Sequence, residues 1–161
     1  MRLFVRSWAL AGLMLASTWC MAQPIAVGRP LPAIELKDQH DQRWVVSQQT
    51  ELLIYSASRA ASSKLQAVLT RQGEGFLASR QAVYLANMSR MPAFITRTMA
   101  LPSLRELPFR LGVVMDGKLT AEWPVKDDAL TLISLKDGKV ASIAYAADDA
   151  AIHRALGLPA P

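Results

Sequence analysis

Two short polar stretches, each placed after an apolar segment, hold the residue types best suited to binding an anion. Their candidate side chains are Ser58, Arg59, Ser62, Ser63, Ser89 and Arg90. A guanidinium can hold a carboxylate or phosphate through two parallel hydrogen bonds, and the free N–H groups at the start of a helix also attract anions. The first stretch joins the apolar segment 51–55 to a helix predicted over 62–70, so it offers both kinds of group. The sequence therefore predicts a site for a small anion or an acidic peptide.

A purely structural role for the same residues is the alternative. Ser62 or Ser63 would then cap the helix, while Arg59 and Arg90 would be solvated on the surface. Ligands gather at the carboxyl ends of parallel strands in an open α/β sheet. The two polar stretches therefore converge only if the two apolar segments before them are neighbouring parallel strands.

Other reactive residue types lack the spacing that catalysis or metal binding requires. His40 and His153 are the only histidines, and neither has a cysteine or an acidic cluster at a spacing typical of metal ligands. Asp127 and Asp128 are adjacent, so on a strand they would point to opposite faces. No G-x-G-x-x-G follows a predicted strand, as a nicotinamide or flavin enzyme would need. We predict no catalytic residue, no metal ligand and no cofactor.

Five further side chains are predicted to be structural. Met88, Met91 and Met99 could offer thioether sulfurs to a metal, but methionine more often fills gaps in a core. Trp44 and Trp123 are expected to anchor the two hairpin regions, with an exposed recognition role as the alternative.

The first 22 residues have the pattern of an export signal. Arg2 and Arg6 are positive, residues 8–16 form an apolar run, and small side chains precede a predicted cleavage after Ala22. The run is too short to span a bilayer. Lipid attachment at Cys20 is disfavoured, because a large side chain, Trp19, precedes it. We expect a periplasmic protein whose single domain covers residues 23–161, with no stable membrane insertion.

Cleavage would remove the only cysteine of the chain, Cys20. Thiol–disulfide exchange requires a thiolate that attacks a sulfur, so the exported protein would not be a thiol–disulfide oxidoreductase by itself. The whole chain carries a formal net charge of +5, with no basic run longer than two residues and no interleaved aromatic platform. A nucleic-acid partner is therefore not expected.

The remainder of the chain alternates predicted strands and helices. In order these are strands 34–38, 43–46 and 51–55, helix 62–70, strand 81–87, helical turns 93–99 and 103–106 interrupted at Pro102, strand 109–114, strands 129–135 and 140–145, and helix 150–156. Asp137-Gly138 lies between the last two strands, and this dipeptide is a strong hairpin signal. The order predicts an α/β fold, a three-layer α/β/α sandwich with an N-terminal β-hairpin and a mixed central sheet.

Two stretches of sequence resemble a known family. Residues 28–38 (GRPLPAIELKD) resemble the G-x-P-x-P-x-x-x-L-x-D opening of peroxiredoxins and TlpA-type thioredoxin-fold proteins. Residues 115–140 resemble the tail of these proteins, in which a D-G turn, a loop, a strand and a second D-G hairpin follow in order. The resemblance implies that the sandwich is thioredoxin-like.

The departures from this family concern its redox elements. Residues 59–63 (RAASS) stand where the redox members carry C-x-x-C, and residues 126–128 stand where they carry a cis-proline. Residues 57–61 (ASRAA) and 123–138 are similar to segments of a cysteine-free, YtfJ-type branch of exported proteins. We therefore expect a non-catalytic exported protein that binds a protein partner or a small anionic ligand. The alternative is an enzyme or redox accessory that works through a bound flavin or metal, or through the thiols of a partner.

Overall fold

Seven strands form one mixed sheet at the centre of residues 24–161, the part of the chain that this computed structural model describes. The predicted export signal, 1–22, and Cys20 within it lie outside the described residues. The strands are β1 (Glu35–Asp38), β2 (Arg43–Val45), β3 (Leu52–Ser56), β4 (Ala82–Asn87), β5 (Gly112–Val114), β6 (Leu130–Lys136) and β7 (Lys139–Ala146).

The sheet has the strand order β2-β1-β5-β4-β3-β6-β7. Its three inner strands β5, β4 and β3 are parallel, and every other pairing is antiparallel. Strands covered on both faces are apolar along their length, and β3 and β4 meet this condition with Leu53, Ile54, Tyr84 and Leu85 all buried. The parallel strands therefore end together along one edge of the sheet.

Helical elements connect and follow these strands. They are α1 (Arg59–Gln72), α2 (Phe76–Ser79), α3 (Ala93–Ile95), a π-helical turn (Thr96–Ala100), α4 (Leu101–Arg105), a 3-10 helix (Gly117–Thr120) and α5 (Asp149–Ala155). No helix within residues 24–161 combines the length and the apolar character that crossing a bilayer requires.

The helices pack mainly on one face of the sheet. Crossovers between parallel strands are almost always right-handed. Those from β3 to β4 and from β4 to β5 step in the same direction, which places their helices on the same side of the sheet. Leu65 of α1, Leu104 of α4 and Ile152 of α5 accordingly belong to one buried cluster. The opposite face buries a second cluster around Trp44 and Trp123, covered by extended chain near the N-terminus.

The predicted mixed sheet with an N-terminal β-hairpin is confirmed. The predicted interruption at Pro102 is wrong, because helical structure continues from Ala93 to Arg105. The N–H of Leu101 donates to the carbonyl of Thr96, five residues back, in a wide π turn. Pro102, which has no N–H to donate, follows this turn as one of the first residues of α4.

One buried carboxylate fastens the N-terminal hairpin to the rest of the sheet. Oδ1 of Asp38 accepts hydrogen bonds from the N–H groups of His40 and Gln42 at 2.8 and 2.9 Å. Its Oδ2 lies 2.7 Å from Nη2 of Arg110. Burial by itself would raise the pKa of Asp38, but the hydrogen bonds from Gln42, Arg110 and His40 together outweigh burial and lower the pKa.

Candidate functional site

The two predicted polar stretches meet at the carboxyl edge of the sheet. Strands β3 and β4 are parallel neighbours, and Ser56 at the end of β3 pairs with Ala86 of β4. A cavity of about 660 Å³ opens beyond these strand ends, between the start of α1 and residues 91–104. Five of the six predicted side chains line it, namely Ser58, Arg59, Ser62, Ser63 and Arg90.

Arg59 and Arg90 supply the charge of this cavity. Each comes from the loop after a different parallel strand, and both side chains line the cavity and are exposed. Within residues 24–161, neither guanidinium has a carboxylate within 4.0 Å. Two positive groups thus border one cavity without a negative side chain to neutralise them, which favours an anionic occupant.

Ser58 caps the helix that begins at the cavity. Its backbone is extended, with φ −124° and ψ 153°, and its Oγ accepts a hydrogen bond from the N–H of Ala61 at 3.2 Å. The expectation that Ser62 or Ser63 would cap the helix is therefore wrong. The helix begins at Arg59, three residues earlier than predicted, because the cap is Ser58.

Ser62 belongs to a buried hydroxyl network beneath the cavity. Its Oγ lies 2.6 Å from Oη of Tyr84 and accepts a hydrogen bond from Nε2 of Gln66 at 3.0 Å. Oη of Tyr84 is also 3.0 Å from Oγ of Ser56. Burial raises the pKa of the Tyr84 hydroxyl, so the group stays protonated. The network holds the cavity floor in place with neutral groups.

Ser89 does not line the cavity, in contrast to its neighbour Arg90. Its Oγ donates to Oδ1 of Asn87 at 2.7 Å, and its N–H donates to the same atom at 2.9 Å. The Nδ2 of Asn87 in turn donates to Oη of Tyr55 and Oγ1 of Thr120. Asn87 therefore links β3, the 3-10 helix and the loop after β4, and Ser89 has a structural role in shaping the loop that carries Arg90.

An apolar wall forms another part of the lining of this cavity. It consists of Met88, Met91, Ile95, Met99 and Leu104. The prediction that the methionines fill gaps in the core holds for Met88, which packs against the buried cluster around α1. It is wrong for Met99, which is 64% exposed. Their spacing in sequence gave no sign of this wall, because Met88 and Met91 precede the helical segment and Met99 lies in its π-helical turn.

The lining of this cavity does not include Trp44, Trp123, Asp127 or Asp128. Trp44 and Trp123 are buried, as anchors should be. Asp127 and Asp128 are exposed next to a turn, and Asp128 has a positive φ of 50°. The described part of the chain holds no group of three or more His, Cys, Asp or Glu residues arranged to bind a metal.

A second cavity, of about 740 Å³, opens at the opposite edge of the sheet and includes His40, Thr50 and Ala82 in its lining. Its two arginines already have acidic partners. Arg43 donates to Glu35 at 2.8 Å and Arg110 donates to Asp38 at 2.8 Å. The cavity at the carboxyl edge is therefore the better candidate for an anion, although it is slightly smaller.

Comparison with known proteins identifies the architecture. No family model matches the chain, and no curated protein matches it. Solved structures do match it. A peroxidoxin, BcpB, from Mycobacterium tuberculosis has 14% identity and a TM-score of 0.53, and the match covers 83% of this chain and 95% of the peroxidoxin. A thio-disulfide isomerase from Thermus thermophilus has 20% identity and a TM-score of 0.52, covering 82% and 95%. The chain has a thioredoxin-like fold.

A third thioredoxin-like structure agrees with this assignment. The mitochondrial 2-cys peroxiredoxin from Plasmodium falciparum is 10% identical, with a TM-score of 0.51 over 82% of this chain and 90% of its own. The thioredoxin-like fold expected from residues 28–38 is thereby confirmed. Identities this low carry the fold alone, and the YtfJ-type branch stays a prediction.

Proposed function

We propose that this chain is an exported, non-catalytic thioredoxin-fold protein that binds a small anionic ligand in the cavity at the carboxyl edge of its sheet. The observation that carries the proposal is the placement of Arg59 and Arg90 on one cavity without acidic partners within residues 24–161. Export rests on the signal-like segment 1–22.

The absence of a thiol after residue 22 supports a non-catalytic role within this fold. The sequence has one cysteine, Cys20, and residues 59–63 (RAASS) stand where the redox members of the family carry a C-x-x-C pair. Ser62 is hydrogen-bonded to Tyr84 and Gln66, so its hydroxyl serves the packing of α1 on the sheet. Within residues 24–161, no hydrogen bond links Ser62 to a histidine or a carboxylate that could activate it as a nucleophile.

A thermal unfolding experiment tests the proposal. A ligand that binds only the folded state stabilises it by RT ln(1 + [L]/Kd), so phosphate and small carboxylates should raise the melting temperature of the parent protein. The double variant Arg59→Ala/Arg90→Ala should lose this shift while it remains folded. Arg71→Ala/Arg154→Ala is the matched control, because it removes the same charge at exposed positions outside the cavity. A parent protein that no anion stabilises would rule the site out.

A second candidate function is the binding of a partner protein at the same edge. It is favoured by Phe94 and Met99, whose side chains are 74% and 64% exposed on the helical segment beside the cavity. Side chains of this size are usually covered when they cluster. Crosslinking in the envelope through a photoreactive residue at position 94 should capture one partner if this function holds, and no defined adduct if it does not.

The alternative of a bound flavin or metal is open to a direct test. Protein purified from the envelope would be examined by absorbance and by native mass spectrometry. We expect a mass that corresponds to the cleaved polypeptide with no stoichiometric chromophore or metal. A bound flavin or metal in equimolar amount would replace the proposed function with the cofactor-dependent one.

A further inference from the structure

We infer that the ligand of this cavity is an amphipathic acid, with one anionic head group and an unbranched apolar chain. This inference rests on the proposed anion site and specifies the chemistry of its occupant. The cavity of about 660 Å³ is in the range of small-molecule sites. Inorganic phosphate has no apolar group, and acetate only a methyl group, to contact the apolar part of this lining.

The head group is placed by the polar side of the cavity. Arg59 stands at the first position of α1, where the N–H groups of the first turn add to the positive potential. Arg90 approaches from the neighbouring strand end. Either guanidinium can donate hydrogen bonds to a carboxylate, whereas the hydroxyls of Ser62 and Ser56 in the lining are neutral and already paired.

The apolar chain of the ligand would lie against the apolar wall. Leu104 is buried and Met88 is half-buried against the core, whereas Met99 is mostly exposed. The wall thus includes buried, half-buried and exposed side chains, with Met91 and Ile95 half-buried. Apolar side chains at these different depths suit an alkyl chain better than a compact polar anion.

The composition of the wall suits a flexible ligand. Methionine is unbranched and adaptable, and it is frequent where a surface accommodates apolar groups of varying shape. Met99 also lies in the π-helical turn, a local geometry that occurs often at functional sites. The wall therefore selects for apolar character and tolerates different chain lengths.

Isothermal titration of the processed, exported protein with phosphate, acetate, hexanoate and octanoate tests the inference. Burial of each methylene should tighten Kd roughly three- to fourfold, so octanoate should bind about tenfold more tightly than hexanoate. 1-Octanol, which has the chain without the charge, should bind more weakly than octanoate. Equal affinity for phosphate, acetate and octanoate would overturn the amphipathic ligand while leaving the anion site in place.

Variants separate the two halves of the site. Met91→Gln/Met99→Gln keeps unbranched side chains of similar length, and it should weaken octanoate about tenfold while leaving the affinity for phosphate unchanged. Arg59→Ala/Arg90→Ala should abolish binding of every anion. Octanoate binding that is unaffected by the methionine substitutions would refute the proposed wall. Failure of all four anions to bind the parent protein would refute the anion site itself.

Discussion

The buried carboxylate of Asp38 offers the sharpest quantitative prediction about this fold. Its Oδ1 accepts two backbone hydrogen bonds, and its Oδ2 faces Arg110. In Asp38→Asn, one amide oxygen can serve only one of these two sets of donors, because the other position becomes an NH₂ group that also donates. A hydrogen bond to a charged group contributes roughly 1.5–3 kcal/mol. The Arg110 side chain is 61% exposed, so water replaces part of the loss.

We therefore expect Asp38→Asn to lower the free energy of unfolding by about 1–2 kcal/mol at pH 7. Because the pKa of Asp38 is lowered in the folded state, its stabilising contribution is complete above the unfolded-state pKa of about 3.9 and is lost as the pH falls below it. The difference between parent and variant should thus shrink as the pH is lowered from 7 to 3.

Urea unfolding followed by tryptophan fluorescence measures both effects, since Trp44 and Trp123 are buried. Asp41→Asn is the matched control. It removes the same charge from an exposed carboxylate that pairs with Arg105 at the surface, and it should cost less than about 1 kcal/mol. An Asp38→Asn variant that is as stable as the parent at pH 7, or a deficit that persists unchanged at pH 3, would refute the reasoning.

Three further predictions concern the core and the site. Tyr84→Phe leaves the buried Ser56 hydroxyl without its partner and should cost about 1–2 kcal/mol in urea unfolding, whereas the exposed Tyr145→Phe should change little. Gly112→Ala would place a Cβ 2.7 Å from the Trp44 ring, and it should lower the free energy of unfolding by about 1–3 kcal/mol. Unchanged stability of this variant would show that β5 can shift to make room for the methyl group. In a Cys20→Ser background, the thiol introduced by Arg59→Cys at the start of α1 should have a pKa below about 7.5. The thiol introduced by Ala67→Cys, exposed in the middle of the same helix, should have a pKa near 8.5. Equal rates of alkylation for the two thiols at every pH would contradict a positive potential at the helix start.

Much of the fold follows from local signals in the sequence. The Asp137-Gly138 hairpin was predictable because both residues must adopt a positive φ, and they do, at 51° and 72°. The apolar segments 51–55 and 81–87 gave β3 and β4 to within a residue. The sequence made the convergence of Arg59 and Arg90 conditional on these strands being parallel neighbours; they are, and both arginines line one cavity.

Of the features that escaped sequence reasoning, one depends on a contact between distant segments and two depend on local backbone conformation. Ser62 was expected at a helix cap but bonds to Tyr84, a residue whose position relative to α1 depends on the packing of the sheet. Ser89 was expected in the site but bonds back to Asn87. Pro102 suggested a break, which the preceding π turn removes. Tertiary structure decided the first case, whereas the other two are local conformations that the sequence left open.

The most direct test of the central claim is an NMR titration of the ¹⁵N-labelled exported protein with phosphate and then octanoate, observed at the Nε–Hε signals of its arginines. The signals of Arg59 and Arg90 should shift together along one saturating curve, while that of Arg71, at the far end of α1, should stay in place. Signals of Arg59 and Arg90 that do not move, or that move no more than that of Arg71, would contradict an anion site at this edge of the sheet.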